Sequence, residues 1–339
     1  MKKKLIIIVL IIGLLIGSAC LFYSYSLSAI GNDDIKVVVD IPKGSSASNV
    51  ISILKKNNLI KNEFVLKVYI KLHHINMKSG TYEFQRNYDA KKILKMIENG
   101  EIVDSSISIT FVEGKTLKKN LELIEKTFGI NKEDAIKRLS NNDYLKKLID
   151  KYWFLDESIL NSKLYYPLEG YLFPDTYRFD KNTSIETIVE KQLDTLGNKL
   201  EKYKSELENN SVHDILTMAS IVELEANTFD ERKNVAGVFY NRIKIGMSLG
   251  SDVTTYYAEQ VEMGSVTDLY MSQYNALNAY NTRNTSFKGL PVGPICNPSF
   301  SSIEASINPA KNDYLYFYAN KDGKILYSKT YQGHQENQK

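Results

Sequence analysis

Residues 5–22 form an uncharged, mostly apolar run that starts directly after Lys2-Lys3-Lys4. No other feature constrains the chain as strongly. As a helix rising 1.5 Å per residue, the run spans about 27 Å, close to the hydrocarbon core of a bilayer. The lysines on its short side predict a cytoplasmic N-terminus and an extracytoplasmic C-terminal body. Tyr23 and Tyr25 follow at the expected outer interface. A cleaved signal peptide has a shorter apolar region and a small-residue exit. Gly17-Ser18-Ala19-Cys20 has some likeness to a lipoprotein cleavage site, with Cys20 as the lipidated residue, and this stays as the minor alternative. Gly17 stands where a bulky aliphatic residue is expected, and apolar character continues past Cys20, so an uncleaved anchor is the reading. The expected layout is a tail at 1–4, an anchor at 5–26, a small module at 27–104 and a larger domain at 105–339.

The formal charge is +3, from 43 Lys+Arg against 40 Asp+Glu, and Lys2–Lys4 account for the whole excess. A balanced body lacks the basic excess of a nucleic-acid binder, so no nucleic-acid partner is expected. With 43% hydrophobic and 24% charged residues over 339 positions, the chain can bury about two domain cores. Only Cys20 and Cys296 are present, one of them in the anchor, so no disulfide is expected. His73, His74, His213 and His334 form no metal-ligand spacing, which predicts neither a metal nor a cofactor. No Gly-x-Ser-x-Gly elbow accompanies His213 or His334 as a nucleophilic hydrolase would require.

Two stretches share one local grammar. Val37–Ile41 reads as a strand, Pro42–Ser46 as a Gly-containing turn with a Ser cap, and Val50, Ile53 and Leu54 as one helix face. Ile107–Phe111, Val112–Thr116 and a helix at Leu117, Leu121 and Ile124 repeat the pattern. Thr81–Phe84 reads as a strand, and Ala90–Asn99 as a helix closed by Gly100. Residues 118–163 and 184–208 read as charged amphipathic helices. Beyond Asn209 the charges thin out, and Gly, Pro, Asn, Thr and Tyr collect in long loops between 240 and 300. Structured polar-aromatic loops of this kind usually carry a site. The fold class expected is α+β.

In residues 213–226, Ile215, Met218, Ala219 and Val222 fall on one helical stripe, and small Ala219 and Ser220 allow a close approach. Glu223 lies at the edge of that stripe. A carboxylate beside an apolar face loses solvation, which favours the protonated form that a general acid needs. From this helix alone, a solvated edge is the better explanation of Glu223, and the loops change that balance. Glu225 is about 200° further round and should face elsewhere. Three loops add aromatic and polar groups suited to sugars: 169–179 with Glu169 and Tyr171, 249–257 with Asp252, and 280–295.

Together these segments resemble the YceG-like endolytic murein transglycosylases. The resemblance runs from Ile41-Pro42-Lys43-Gly44-Ser45-Ser46 and Ser79-Gly80-Thr81-Tyr82 through residues 169–177 and Ala219-Ser220-Ile221-Val222-Glu223. It continues through Val235–Arg242, Tyr280-Asn281-Thr282, Gly289–Ile295 and Asn308–Phe317. It implies a LysM-like strand-helix module before a mixed α/β catalytic domain. It also implies cleavage of the β-1,4 bond between N-acetylmuramic acid and N-acetylglucosamine in nascent peptidoglycan, leaving 1,6-anhydro ends. The implied catalytic residue is Glu223, and the implied substrate contacts are Glu169, Tyr171, Ser220, Asp252, Tyr280, Asn281, Thr282 and Pro291. The implied partners are glycan strands, the membrane and a peptidoglycan polymerase. Leu224-Glu225-Ala226 departs from the family's Lys-Glu-Thr, and Gly250 and Val253 depart from its Gln and Pro. A single carboxyl suffices for this chemistry, because the sugar's own 6-hydroxyl replaces water as nucleophile. The competing readings are an inactive glycan-binding scaffold and a water-using muramidase with Glu169 or Asp252 as second carboxylate.

Overall fold

The structure is a computed structural model that describes every residue except Met1, Ser105, Asn209 and 266–268. The side chains of Lys2 and Lys3, on which the orientation reading partly rests, also lie outside the described part. The described chain divides into two compact units, residues 1–106 and 107–339. Ser105, where the sequence reading starts the second domain, is outside the described residues.

The first unit contains α1 (Lys2–Leu27), β1 (Lys36–Ile41), α2 (Ala47–Lys56), α3 (Glu63–His73), β2 (Gly80–Gln85) and α4 (Ala90–Asn99). Lys4–Leu27 within α1 is long and apolar enough to cross a membrane, with a mean hydropathy of 3.1. β1 and β2 pair antiparallel with Val39 opposite Tyr82. Ser46 starts α2 by accepting a hydrogen bond from the Asn49 N–H at 3.2 Å, and Gly44 supplies the left-handed turn before it. Val39, Ile41, Leu54, Tyr82, Phe84 and Ile93 fill one small core.

The second unit starts with β3 (Ile107–Thr110), α5 (Leu117–Phe128), α6 (Lys132–Leu139), α7 (Asn142–Lys151), β4 (Thr176–Phe179), α8 (Ile185–Leu200) and α9 (Lys204–Leu207). It continues with α10 (Val212–Glu225), α11 (Phe229–Lys244), α12 (Asp252–Ala258), α13 (Met271–Tyr274), α14 (Phe300–Ile307), β5 (Tyr316–Ala319), β6 (Ile325–Ser328) and α15 (Tyr331–Asn337). Its described strands form two antiparallel pairs, β3 with β4 and β5 with β6. The β3–turn–α5 step repeats β1–turn–α2: Gly114 takes the left-handed turn, and Thr116 accepts from the Lys119 N–H at 3.3 Å. Both units mix helices with small sheets, an α+β arrangement.

α10 forms the centre of the second unit, and it departs from the amphipathic expectation. Leu216, Thr217, Met218, Ala219, Ser220, Ile221 and Val222 are all buried, so the helix is enclosed round its whole circumference. The small residues make that possible. Ser220 Oγ donates to the Thr217 carbonyl and accepts from the Ile295 N–H at 3.0 Å, which brings the 293–296 backbone directly onto the helix.

Candidate active site

The last turn of α10 presents two carboxylates in two different settings. Glu223 is held by polar partners on both carboxylate oxygens. Its side chain is only 8% exposed, and Arg232 of α11 donates to Oε1 at 3.1 Å. Oε2 accepts from the Ser299 N–H at 2.9 Å, from Ser299 Oγ at 2.5 Å and from Ser302 Oγ at 2.6 Å. Ser299 is the N-cap of α14, so Glu223 ties α10, α11 and the start of α14 together. Both carboxylate oxygens of Glu223 are thus already hydrogen-bonded.

Glu225 does point elsewhere, as the helical geometry predicts, and the place it points to is the Asp252 loop. Its Oε1 accepts from Ser251 Oγ at 2.5 Å, and among the described residues no donor meets Oε2. Burial raises this carboxyl above the usual range and the Asp252 charge adds to the rise. The Ser251 hydroxyl and the Arg242 and Arg283 charges pull the other way. Arg283 also pairs with Asp252, Nε to Oδ1 at 3.0 Å, and both of these side chains are about half exposed. A desolvated acid with one open oxygen, beside two guanidinium groups, is equipped to give up a proton and take it back.

The loops that frame this acid are built from the motif residues, and most of those are buried. Thr282 Oγ1 accepts from the Ser251 N–H at 3.2 Å and meets Thr254 Oγ1 at 2.8 Å. Asn281 accepts from Thr255 Oγ1 at 2.8 Å and donates to the carbonyls of Gln273, Tyr274 and Ala276. Tyr280 packs tilted against Tyr165 and edge-on to Tyr257, each with ring centroids 4.8 Å away. Tyr171 is buried with its hydroxyl 2.9 Å from His213 Nδ1, and His213 Nε2 lies 2.9 Å from the Val292 carbonyl oxygen, which pins the 291–295 loop. Ser220, Tyr280, Asn281, Thr282 and Pro291 are buried too. Of the eight positions expected to touch substrate, Asp252 is the one whose side chain is exposed.

Glu169 is fully enclosed as well, at 1% exposure. Its Oε1 accepts from the Leu117 N–H at 2.8 Å and from Asn297 Nδ2 at 3.3 Å, and its Oε2 accepts from Tyr257 OH at 3.1 Å. Burial pushes the carboxyl up to about 8, against the lowering effect of these hydrogen bonds. Asn297 extends the junction, accepting from the Gly170 and Leu172 N–H groups at 3.1 Å each and donating to the Lys115 carbonyl at 3.1 Å. Three loops far apart in the chain therefore meet at two side chains. The sequence reading missed Asn297, Arg232, Ser299 and Ser302. Their only sequence signal is a place beside Pro298 or inside a helix, which says nothing of partners.

A cavity of about 340 Å³ opens next to this assembly, lined in part by Gly114, Thr116, Leu224, Val253 and Tyr257. Neither glutamate of α10 lines it. Leu224, the residue between them, does.

A model of the YceG-like family matches residues 39–339. The chain belongs to this family. Among its relatives is the endolytic murein transglycosylase of Bacillus subtilis (strain 168), 36% identical over 329 residues, which are 95% of this chain and 89% of that protein. The endolytic murein transglycosylase of Streptococcus pneumoniae serotype 2 (strain D39) is 30% identical over an alignment of 358 positions that covers 99% of this chain and 64% of that longer protein. A crystal structure of a yceG-like protein from Listeria monocytogenes, 34% identical, superposes with a TM-score of 0.63 and covers 90% of this chain and all of its own.

Proposed function

We propose that this YceG-like chain cleaves peptidoglycan glycan strands as an endolytic murein transglycosylase, with Glu225 as the group that moves the proton. Glu225 protonates the glycosidic oxygen that leaves with N-acetylglucosamine. The resulting carboxylate then takes the proton of the muramic 6-hydroxyl as that oxygen closes onto C1, which leaves a 1,6-anhydro end. One carboxyl serves as acid and then as base, so no second carboxylate and no water enter the step. The observation that carries this assignment is the open Oε2 of a burial-raised carboxyl beside Asp252 and Arg283.

The sequence reading assigns the same role to Glu223, the runner-up. Its four donors support an anchoring role for it instead, and the buried motif residues then position the Asp252 and 280–295 loops rather than touching sugar. The muramidase alternative draws no support from Glu169, which is closed off from solvent. Glu225→Gln and Glu223→Gln, compared by mass analysis of digested strands and by thermal melting, test the assignment. Glu225→Gln should melt like the parent and yield no anhydro ends. Glu223→Gln should melt earlier yet still yield anhydro ends at a temperature where it is folded. The opposite pattern returns the proton transfer to Glu223.

The first unit supports a finer reading of place. With Lys4–Leu27 across the membrane and the lysine end inside, residues 28–339 lie outside, and the small β1–α2 unit acts as a LysM-like glycan contact beside the bilayer. A polymerase extruding nascent strands is the partner that such a position serves. Protease added to wall-free cells should digest the body. Its survival would reverse the orientation.

A further inference from the structure

The cavity beside Leu224 is not used by the chemistry just described, and its lining is part charged and part aromatic. Its charged lining is Lys115, Lys118 and Lys119 from the start of α5, together with Glu122 and Glu262. Lys119 is occupied, pairing with Glu262 at 3.0 Å and with Glu122 at 3.3 Å. Lys115 and Lys118 have no ion-pair partner among the described residues. Tyr166, Tyr256 and Tyr257 also line it. A volume of about 340 Å³ lies at the small end of ligand sites, which run from about 300 to 1,000 Å³. That is room for a short substituent, not for a polysaccharide strand.

Position narrows the ligand further. The lining includes Leu224, next to Glu225 in the chain, and Val253, next to Asp252. We propose that this cavity receives the acidic peptide stem carried by the muramic residue at the cleavage point, with Lys115 and Lys118 pairing its free carboxylates and the tyrosine side covering its apolar atoms. The two free ammonium groups supply the charge, and the tyrosine faces supply a semi-apolar wall that free sugar hydroxyls do not need. Such a site makes the protein a reader of stem chemistry as well as of the glycan. It rests on the transglycosylase reading for the nature of the strand, though the binding of an acidic peptide does not.

The test uses the full chain and the double variant Lys115→Gln/Lys118→Gln. Three substrates are compared: strands with free-acid stems, the same strands with amidated stems, and strands stripped of stems by an amidase. The parent should prefer free-acid stems, and the double variant should lose about tenfold in kcat/KM on those alone, through KM, as expected for two partly exposed charge pairs. The preference should shrink as salt rises. Equal rates of the parent on all three substrates, or an equal loss by the variant on stripped strands, would overturn the inference. Equilibrium binding of the free acidic stem tetrapeptide and its amidated form gives a readout independent of turnover. If the parent cleaves nothing yet binds the acidic peptide through the two lysines, the transglycosylase reading fails and the cavity assignment stands. If it cleaves strands but binds the two peptides alike, the cavity assignment fails alone.

Discussion

Ser251 Oγ donates a hydrogen bond to Glu225 Oε1 at 2.5 Å, joining the last residue of α10 to the N-cap of α12. The bond orients the carboxyl, and it also biases its proton, because a donor to the charged form opposes the effect of burial. The placement of Ser251 is itself held from behind by Thr282. The acid is thus set by a loop that the exposed Asp252 shares.

Ser251→Ala should keep the fold, since the backbone bond to Thr282 remains, and slow cleavage by roughly tenfold from lost orientation. Removing the donor also favours the neutral carboxyl. The alkaline limb of the pH–rate profile, already above that of an ordinary carboxyl because burial raises Glu225, should move to still higher pH. A limb that moves down would contradict the assigned direction.

Glu169 makes stability depend on pH. Its carboxyl ionises near 4.5 when exposed and at about 8 in the folded chain. Between those values the folded state holds a proton that the unfolded state has released, so stability is full below 4.5 and declines as pH rises to about 8. Glu169→Gln keeps the acceptor for Leu117 and removes the charge. Denaturant melts at pH 5 and pH 8 should show a smaller loss across this window in the variant than in the parent.

Glu223→Ala should destabilise the second unit by about 3–5 kcal/mol, the usual effect of removing one partner of a buried pair. It strands Arg232, whose side chain is 14% exposed, and leaves the α14 cap without its acceptor. Arg232→Ala should be milder, because three of the four donors to Glu223 remain. Urea titrations rank the two.

Two left-handed glycines should behave very differently. Gly129, at the end of α5 with φ +71°, has nothing within 4 Å of an added Cβ, so Gly129→Ala should lose about 1–2 kcal/mol from backbone strain alone. Gly170, with φ +85°, would place its Cβ 2.3 Å from Pro294 Cβ. Gly170→Ala should therefore part the Glu169–Asn297 junction and lose both stability and activity, read from melting curves and strand cleavage.

Short-range features were legible in the sequence. The apolar run of α1, the paired strand–turn–helix units with Gly44 and Ser46 or Gly114 and Thr116, and the Gly100 stop of α4 all depend on residues a few positions apart. So did the opposed directions of Glu223 and Glu225, which follow from helix geometry alone. The sequence could not say which direction was open. That was decided by Ser299 and Ser302, 76 and 79 positions from Glu223, and by Ser251, 26 positions from Glu225. The same holds for the motif residues read as substrate contacts. Tyr171 and Glu169 are aromatic and acidic enough to meet a sugar, yet His213 and Asn297, 42 and 128 positions away, close over them. Residue type sets what a side chain is able to do. Burial and partner choice arise only when distant loops pack, because a polar group removed from water must find its hydrogen bonds wherever the fold brings a donor.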